Sequence, residues 1–145
     1  MDYFLTVEEA PETKDIEALE KGLNQFNFAI TNNDNEQKLA ILLRDNNKQV
    51  VGGLFGWTYY NWLEVKYLWI KDELRGKGYG SKLVLAAEKE AMLRGCDSAF
   101  LDTFSFQAPN FYHKLGYSIF GVLENFPSQH QRYFLKKSLT EVPLQ

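Results

Sequence analysis

The chain has one cysteine, Cys96, and only two histidines and two methionines among its 145 residues. A lone cysteine excludes an internal disulfide framework, and two histidines leave little from which to build a metal centre. No apolar run approaches the roughly 20 residues of a membrane span. The opening Met1-Asp2-Tyr3-Phe4 lacks the basic, then apolar, then small-residue order of a secretory leader. Internal repeats and low-complexity tracts are absent. With a net charge of -3 and a pI of about 5.4, the basic face typical of nucleic-acid binders is missing. These absences lead to an expectation of a cytoplasmic protein that uses no metal and has neither nucleic acid nor membrane as a partner.

What is present suits one folded domain, 1–145. Hydrophobic residues make up 45% and charged residues 24%, ordinary globular values. A chain of this length buries about two-thirds of its unfolded surface. Aromatic residues reach 15%, enough to line a cleft. The charge is uneven. Residues 1–36 contain Asp2, Glu8, Glu9, Glu12, Asp15, Glu17, Glu20, Asp34 and Glu36 against Lys14 and Lys21, a local balance of about -7. From Lys66 to Lys82 the bases Lys66, Lys71, Arg75, Lys77 and Lys82 face only Asp72 and Glu73. The first pattern attracts cations and the second anions.

Periodicity orders the elements. Residues 2–8 read as a short strand. Pro11 suits a first helical turn, and Ile16, Leu19 and Leu23 follow at helical spacing, so 11–26 reads as an amphipathic helix. Residues 38–44 and 49–59 form a hairpin around Asp45-Asn46-Asn47-Lys48, and Tyr60-Asn61 turns the chain into a third strand, 62–70. The period then becomes helical over 78–94, with Gly95 as the stop. Strand 99–103 follows; the intervening helix makes it a parallel neighbour of 62–70. A short helix spans 107–115, and 117–123 pairs with 132–139. The sum is a mixed α/β domain of about seven strands and three helices.

The informative stretch is Arg75-Gly76-Lys77-Gly78-Tyr79-Gly80-Ser81, between a strand and a helix. Alternate glycines let the backbone approach a ligand. The free amides of the helix start, its dipole, and the charges of Arg75 and Lys77 favour a phosphate. A Walker loop needs Ser or Thr directly after Gly-Lys, but Gly78 follows Lys77. The dinucleotide fingerprint needs glycine at 81, where serine stands. Neither common nucleotide loop fits.

Arg75-x-x-Gly78-x-Gly80 resembles the pyrophosphate-binding motif of the GNAT family of N-acetyltransferases. Downstream, Ala108-Pro109-Asn110-Phe111-Tyr112-His113-Lys114-Leu115-Gly116-Tyr117 resembles the family's second signature. The order of strands and helices agrees over nearly the whole chain. The resemblance implies a GNAT-like fold: a central, mostly antiparallel, splayed mixed sheet of about seven strands flanked by three to four helices. It implies transfer of an acetyl group from acetyl-CoA to an amine, with a small molecule as the leading acceptor. A protein or peptide N-terminus or lysine is the alternative acceptor, and a non-catalytic acyl-CoA-binding sensor module is the alternative class. A homodimer is the assembly the family suggests.

The resemblance also assigns roles. Arg75, Gly76, Lys77, Gly78, Tyr79, Gly80 and Ser81 would hold the pyrophosphate. Backbone amides of Leu68, Trp69 and Ile70, on a strand that splays from its parallel neighbour, would polarise the thioester carbonyl. Tyr112 matches the tyrosine that gives the leaving thiolate its proton. Ser105 stands where the family often has a cofactor-touching asparagine, and serine also suits a helix N-cap. The residues themselves suggest the rest. An alkylammonium near pKa 10 must lose a proton before it attacks. Glu64, the one carboxylate of its strand, is the first candidate base; by alternation it shares a face with Lys66 and Leu68. Asp102 is the second, with Glu124 and His130 behind it. The resemblance places the acceptor site among the first helical region, the loop after it and the strands beside the splay, and there Phe26, Phe28, Trp57, Tyr59 and Trp69 are candidates for an aromatic wall. Cys96 reads as a small buried residue.

Overall fold

Residues in the left-handed backbone region punctuate the chain and fix where its elements stop. The computed structural model describes residues 1–139, so the expected domain limit at 145 lies outside them. The chain divides into two compact units, residues 1–34 and 35–145.

The first unit is a helix with its flanks. Helix α1 runs Thr13–Thr31, with Glu12 as N-cap and Pro11 before it. It extends five residues past the expected end at 26, because Asn27–Thr31 contains no glycine or proline. Asn32 ends it with φ 52°, donating its amide to the Phe28 carbonyl at 2.8 Å. Residues 2–8 form no strand, so among the described residues the sheet has six strands where about seven were expected. A strand needs a ladder, and this segment has none.

The second unit holds the sheet. Strand β1 (Gln37–Arg44), β2 (Val50–Tyr59) and β3 (Trp62–Ile70) form an antiparallel meander. The Tyr60-Asn61 turn takes positive φ at both residues, the geometry that matches strand twist in a two-residue hairpin. A short 3-10 turn, Asp72–Leu74, leads to helix α2 (Tyr79–Leu93), and Gly95 (φ 91°) follows its end. Strand β4 (Ser98–Phe104), helix α3 (Pro109–Lys114), β5 (Ser118–Glu124) and β6 (Gln131–Ser138) complete the chain. The sheet order is β1-β2-β3-β4-β6-β5. Among the described residues only β3 and β4 pair in parallel, as the helix between them requires. No helix among the described residues is long and apolar enough to cross a membrane.

One face of the sheet carries the core. Leu39, Leu54, Leu63, Val65, Leu101 and Leu135 pack there with Leu83, Val84, Ala87 and Ala91 of α2. Each fully buried leucine contributes about 1.5–3 kcal/mol. Cys96 belongs to this cluster, and burial pushes its thiol up, the behaviour of a packed residue rather than a nucleophile. The Arg94 guanidinium joins the end of α2 to the sheet, donating to the Lys38 carbonyl at 3.0 Å and the Thr58 hydroxyl at 3.1 Å.

The register of β3 departs from simple alternation. Phe55 pairs with Tyr67 and Gly56 with Val65, so Lys66 is an extra residue in β3, a β-bulge. Leu63, Val65, Leu68 and Ile70 therefore share the core face with Leu54 and Thr58, while Trp62, Glu64, Tyr67 and Trp69 take the other face with Phe55, Trp57 and Tyr59. This corrects the expectation that Glu64, Lys66 and Leu68 share one face. Gly56 sits so close to the Glu64 carbonyl that any Cβ would overlap it.

Candidate active site

Beyond the bulge, β3 and β4 part. Their parallel pairing covers only Trp62↔Ser98 to Val65↔Leu101, although β3 continues to Ile70 and β4 to Phe104. The backbone of Leu68, Trp69 and Ile70 is thus paired to β2 on one side and free of β4 on the other. A cleft of about 970 Å³ opens at this divergence. Leu68, Trp69, Ile70, Arg75, Gly76, Gly78, Tyr79, Gly80, Ser81 and Tyr112 line it, so ten of the residues assigned from sequence come together. Lys77, Glu64 and Ser105 are not among the lining residues.

The glycine turn has the shape of an anion cradle. Gly76 (φ 76°) and Gly78 (φ 86°) hold conformations that disfavour side chains, and a Cβ at either would point into open space. Gly78 is the N-cap of α2 with no side-chain cap, so the first amides of the helix have no side-chain partner there. The cradle therefore fits a pyrophosphate by free amides, open space and dipole. Arg75 stands beside it, its Nε donating to the Ile70 carbonyl at 3.1 Å and its guanidinium 3.1 Å from Asp72. Gly80 serves packing as well: a Cβ there would meet the Phe111 ring at 3.1 Å.

Tyr112 lies on α3, 8% exposed. Burial, and secondarily the Asp102 carboxylate, push its phenol up to about 12. The hydroxyl therefore stays protonated across the neutral range. Glu64 lies one residue before the end of the β3–β4 pairing. The Tyr59 hydroxyl donates to its Oε1 at 2.6 Å, and burial together with Glu64 pushes the Tyr59 phenol up. Asp102 is the first residue of β4 past the pairing and lines the cleft. Two positions after Phe100, it shares the face of Glu64, Trp57 and Tyr59. Arg132 holds it, with Nε and Nη2 both 2.9 Å from Oδ1. That guanidinium lies over the rings of Phe104, Phe126 and Phe134.

The expected asparagine-like contact of Ser105 is not part of this lining. Ser105 Oγ accepts the Gln131 amide at 3.0 Å, and its own amide donates to the Gln131 carbonyl at 2.8 Å. The N-cap of α3 is Ala108, not Ser105. Gln107 was missed from the sequence. Its Oε1 accepts the Phe104 amide at 2.8 Å and the Thr103 hydroxyl at 3.0 Å, so it caps the end of β4 inside the cleft. Its position two residues before Pro109 was the available signal. Phe106, also in the lining, packs its ring at 5.1 Å from His130. Phe26 and Phe28 belong to α1, in the first unit.

A family model described as the acetyltransferase (GNAT) family matches residues 3–117. Acetyltransferase Atu2258 of Agrobacterium fabrum (strain C58) is 33% identical over 120 residues, 83% of this chain and 88% of that protein. Blasticidin-S acetyltransferase of Streptomyces morookaense is 36% identical over 92 residues, 63% of this chain and 68% of that protein. The crystal structure of an acetyltransferase from Bacillus cereus superposes with a TM-score of 0.80 at 31% identity, covering 92% of this chain and 97% of that one. By family model, sequence identity and backbone superposition alike, the chain belongs to the GNAT family of acetyltransferases, whose members use acetyl-CoA as acyl donor.

Proposed function

We propose that this enzyme moves the acetyl group of acetyl-CoA directly to the amine of a small molecule, with the chain 1–145 acting as one catalytic domain. One observation carries the reading. Where β3 and β4 part, Tyr112 belongs to the core cluster on one face of the sheet, while Glu64 and Asp102 stand on the other beside Trp57 and Tyr59. A thioester held between the strands is then flanked by a proton donor for its sulfur and proton acceptors for the attacking amine. Its chemistry when bound is that of an activated acyl group.

The chain's own groups divide the work. The turn 75–81 holds the pyrophosphate. Backbone amides of Leu68–Ile70, free on the β4 side, polarise the carbonyl. Glu64 takes the proton of the incoming ammonium, and Asp102 holds that ammonium with the oxygen Arg132 leaves free. The nitrogen–carbon bond forms as the carbon–sulfur bond breaks. Tyr112 donates to the departing sulfur and regains its proton from water. The aromatic wall and the two carboxylates favour a cationic acceptor, and the likeness to a blasticidin-S acetyltransferase supports a small one. The cytoplasm, where acetyl-CoA is produced and consumed, is the matching compartment.

The test has two stages. Acetyl-CoA and free CoA should each raise the melting temperature, and ATP should not; a ligand at 100 times its Kd adds about 2.7 kcal/mol. Thiol release is then followed with blasticidin S, other small amines and peptide N-termini as acceptors. Release with a small amine supports the proposal. Release with peptides alone reassigns the acceptor class, and thermal shifts without any release make the chain a sensor.

A further inference from the structure

Tyr112 is aimed without a hydrogen bond. Its hydroxyl has no protein partner among the described residues, yet it is not a buried orphan, so the oxygen is reached from the cleft it lines. The ring is held by two edge-to-face neighbours. Phe111 lies at 5.0 Å and 72°, and Tyr117 at 6.0 Å and 77°. Phe111 in turn abuts Gly80. Tyr117 is 1% exposed, and its amide donates to the Tyr112 carbonyl at 3.1 Å.

The Tyr117 ring is itself fixed by charge. Its hydroxyl donates to Glu88 Oε2 at 2.8 Å, and Lys137 Nζ donates to Glu88 Oε1 at 2.8 Å. Each carboxylate oxygen serves one donor, and Glu88 is 4% exposed. Burying such a pair is a weak source of stability, since well-packed apolar residues in its place are often neutral or better. Its distinctive product is direction. A phenol bound at its hydroxyl resists tilting, and it packs edge to face with the ring of Tyr112.

We infer that Glu88, with Lys137 as its counter-charge, is a positioning residue for acetyl transfer: it fixes Tyr117, whose ring, packed edge to face, holds the Tyr112 phenol towards the parted strands. The inference rests on Tyr112 as the proton donor of the proposed reaction. It gives α2 two duties. The first turn carries the cradle and supports Phe111 through Gly80. Two turns later, Glu88 supports Tyr112 through Tyr117.

Glu88→Gln, Tyr117→Phe, Tyr112→Phe and the Glu88→Gln/Tyr112→Phe double variant test it. Turnover is measured on the amine that responds in the acceptor screen. Ring signals of ¹³C-labelled Tyr112 are recorded with acetyl-CoA bound, which requires no acceptor. Glu88→Gln should lower kcat by about tenfold or more and leave the KM for acetyl-CoA within about twofold, the signature of misaligned reacting groups. That loss should vanish in the Tyr112→Phe background, and the Tyr112 ring signals should broaden or move. Unchanged ring signals, undiminished kcat, or an equal loss in both backgrounds overturns the inference. If Tyr112→Phe alone keeps full turnover, the proton-donor reading fails and takes the inference with it. If Tyr112→Phe is impaired and Glu88→Gln is not, only the inference fails. Should Glu88→Gln not fold, Tyr117→Phe removes one oxygen, keeps the Glu88–Lys137 pair and carries the same comparison.

Discussion

The Tyr59 hydroxyl donates to Glu64 Oε1 across the diagonal of the β2–β3 ladder, over 2.6 Å. The bond occupies one carboxylate oxygen and leaves Oε2 without a protein partner among the described residues. Glu64→Gln keeps the shape and removes the base. We expect turnover at neutral pH to fall about 10²-fold and the acidic limb of the pH–rate profile to move to higher pH, because the acceptor must then shed its proton unaided. If Asp102→Asn moves the limb and Glu64→Gln does not, the base is Asp102.

Tyr112→Phe should cut turnover by about 10²-fold while leaving acetyl-CoA affinity nearly unchanged. It should also change stability at alkaline pH. Below the ordinary phenol value near 10, both folded and unfolded chains hold this proton. Between there and about 12 the unfolded chain loses it while the folded one keeps it, so stability falls as pH rises through this window. One such group adds a slope of at most about 1.4 kcal/mol per pH unit. Melting temperatures over this range should fall less steeply in Tyr112→Phe than in the parent; equal slopes would assign the loss elsewhere.

Gly78→Val places a branched side chain where the open cradle faces its ligand and where φ is 86°. The backbone strain should cost about 1–2 kcal/mol, within reach of a protein that still folds. The melting-temperature rise with acetyl-CoA should disappear. A normal rise in this variant would remove the cradle from the mechanism.

Gly56→Ala should cost about 2–3 kcal/mol, because the added methyl would meet the Glu64 carbonyl, which cannot retreat as a flexible side chain could. Denaturant unfolding measures this directly. A neutral result would mean that β2 and β3 can separate at Gly56 without loss.

The elements were legible where local chemistry sets them. Strand β3 matches its expected bounds, Trp62–Ile70, because the Tyr60-Asn61 turn fixes its start. Helix α2 and the last hairpin fall within two residues of expectation. The glycine turn and Tyr112 stand out in the sequence because their motifs are contiguous, and the fold brings both to one cleft. What depends on a partner strand was not. The lone N-terminal segment has strand-like alternation and no ladder. The bulge at Lys66 arises from cross-strand register, and nothing in Glu64-Val65-Lys66-Tyr67 announces it. Ser105 has the right place in the motif, but β6 claims its hydroxyl through Gln131. Gln107 caps a strand end three residues before it, a contact that only the folded turn brings about.

Lys66 also works as a parity switch. In an unbroken strand, side chains at an even separation share a face. One extra residue makes Glu64 and Tyr67, three apart, face the same way. Were Lys66 to pair as an ordinary rung of the ladder, residues three apart would face opposite ways. Either Tyr67 and Trp69 would turn into the core as Leu68 and Ile70 left it, or Glu64 would exchange places with Leu63 and Val65. With this sequence, the carboxylate and the core both keep their places along the strand only because Lys66 is left out of the ladder.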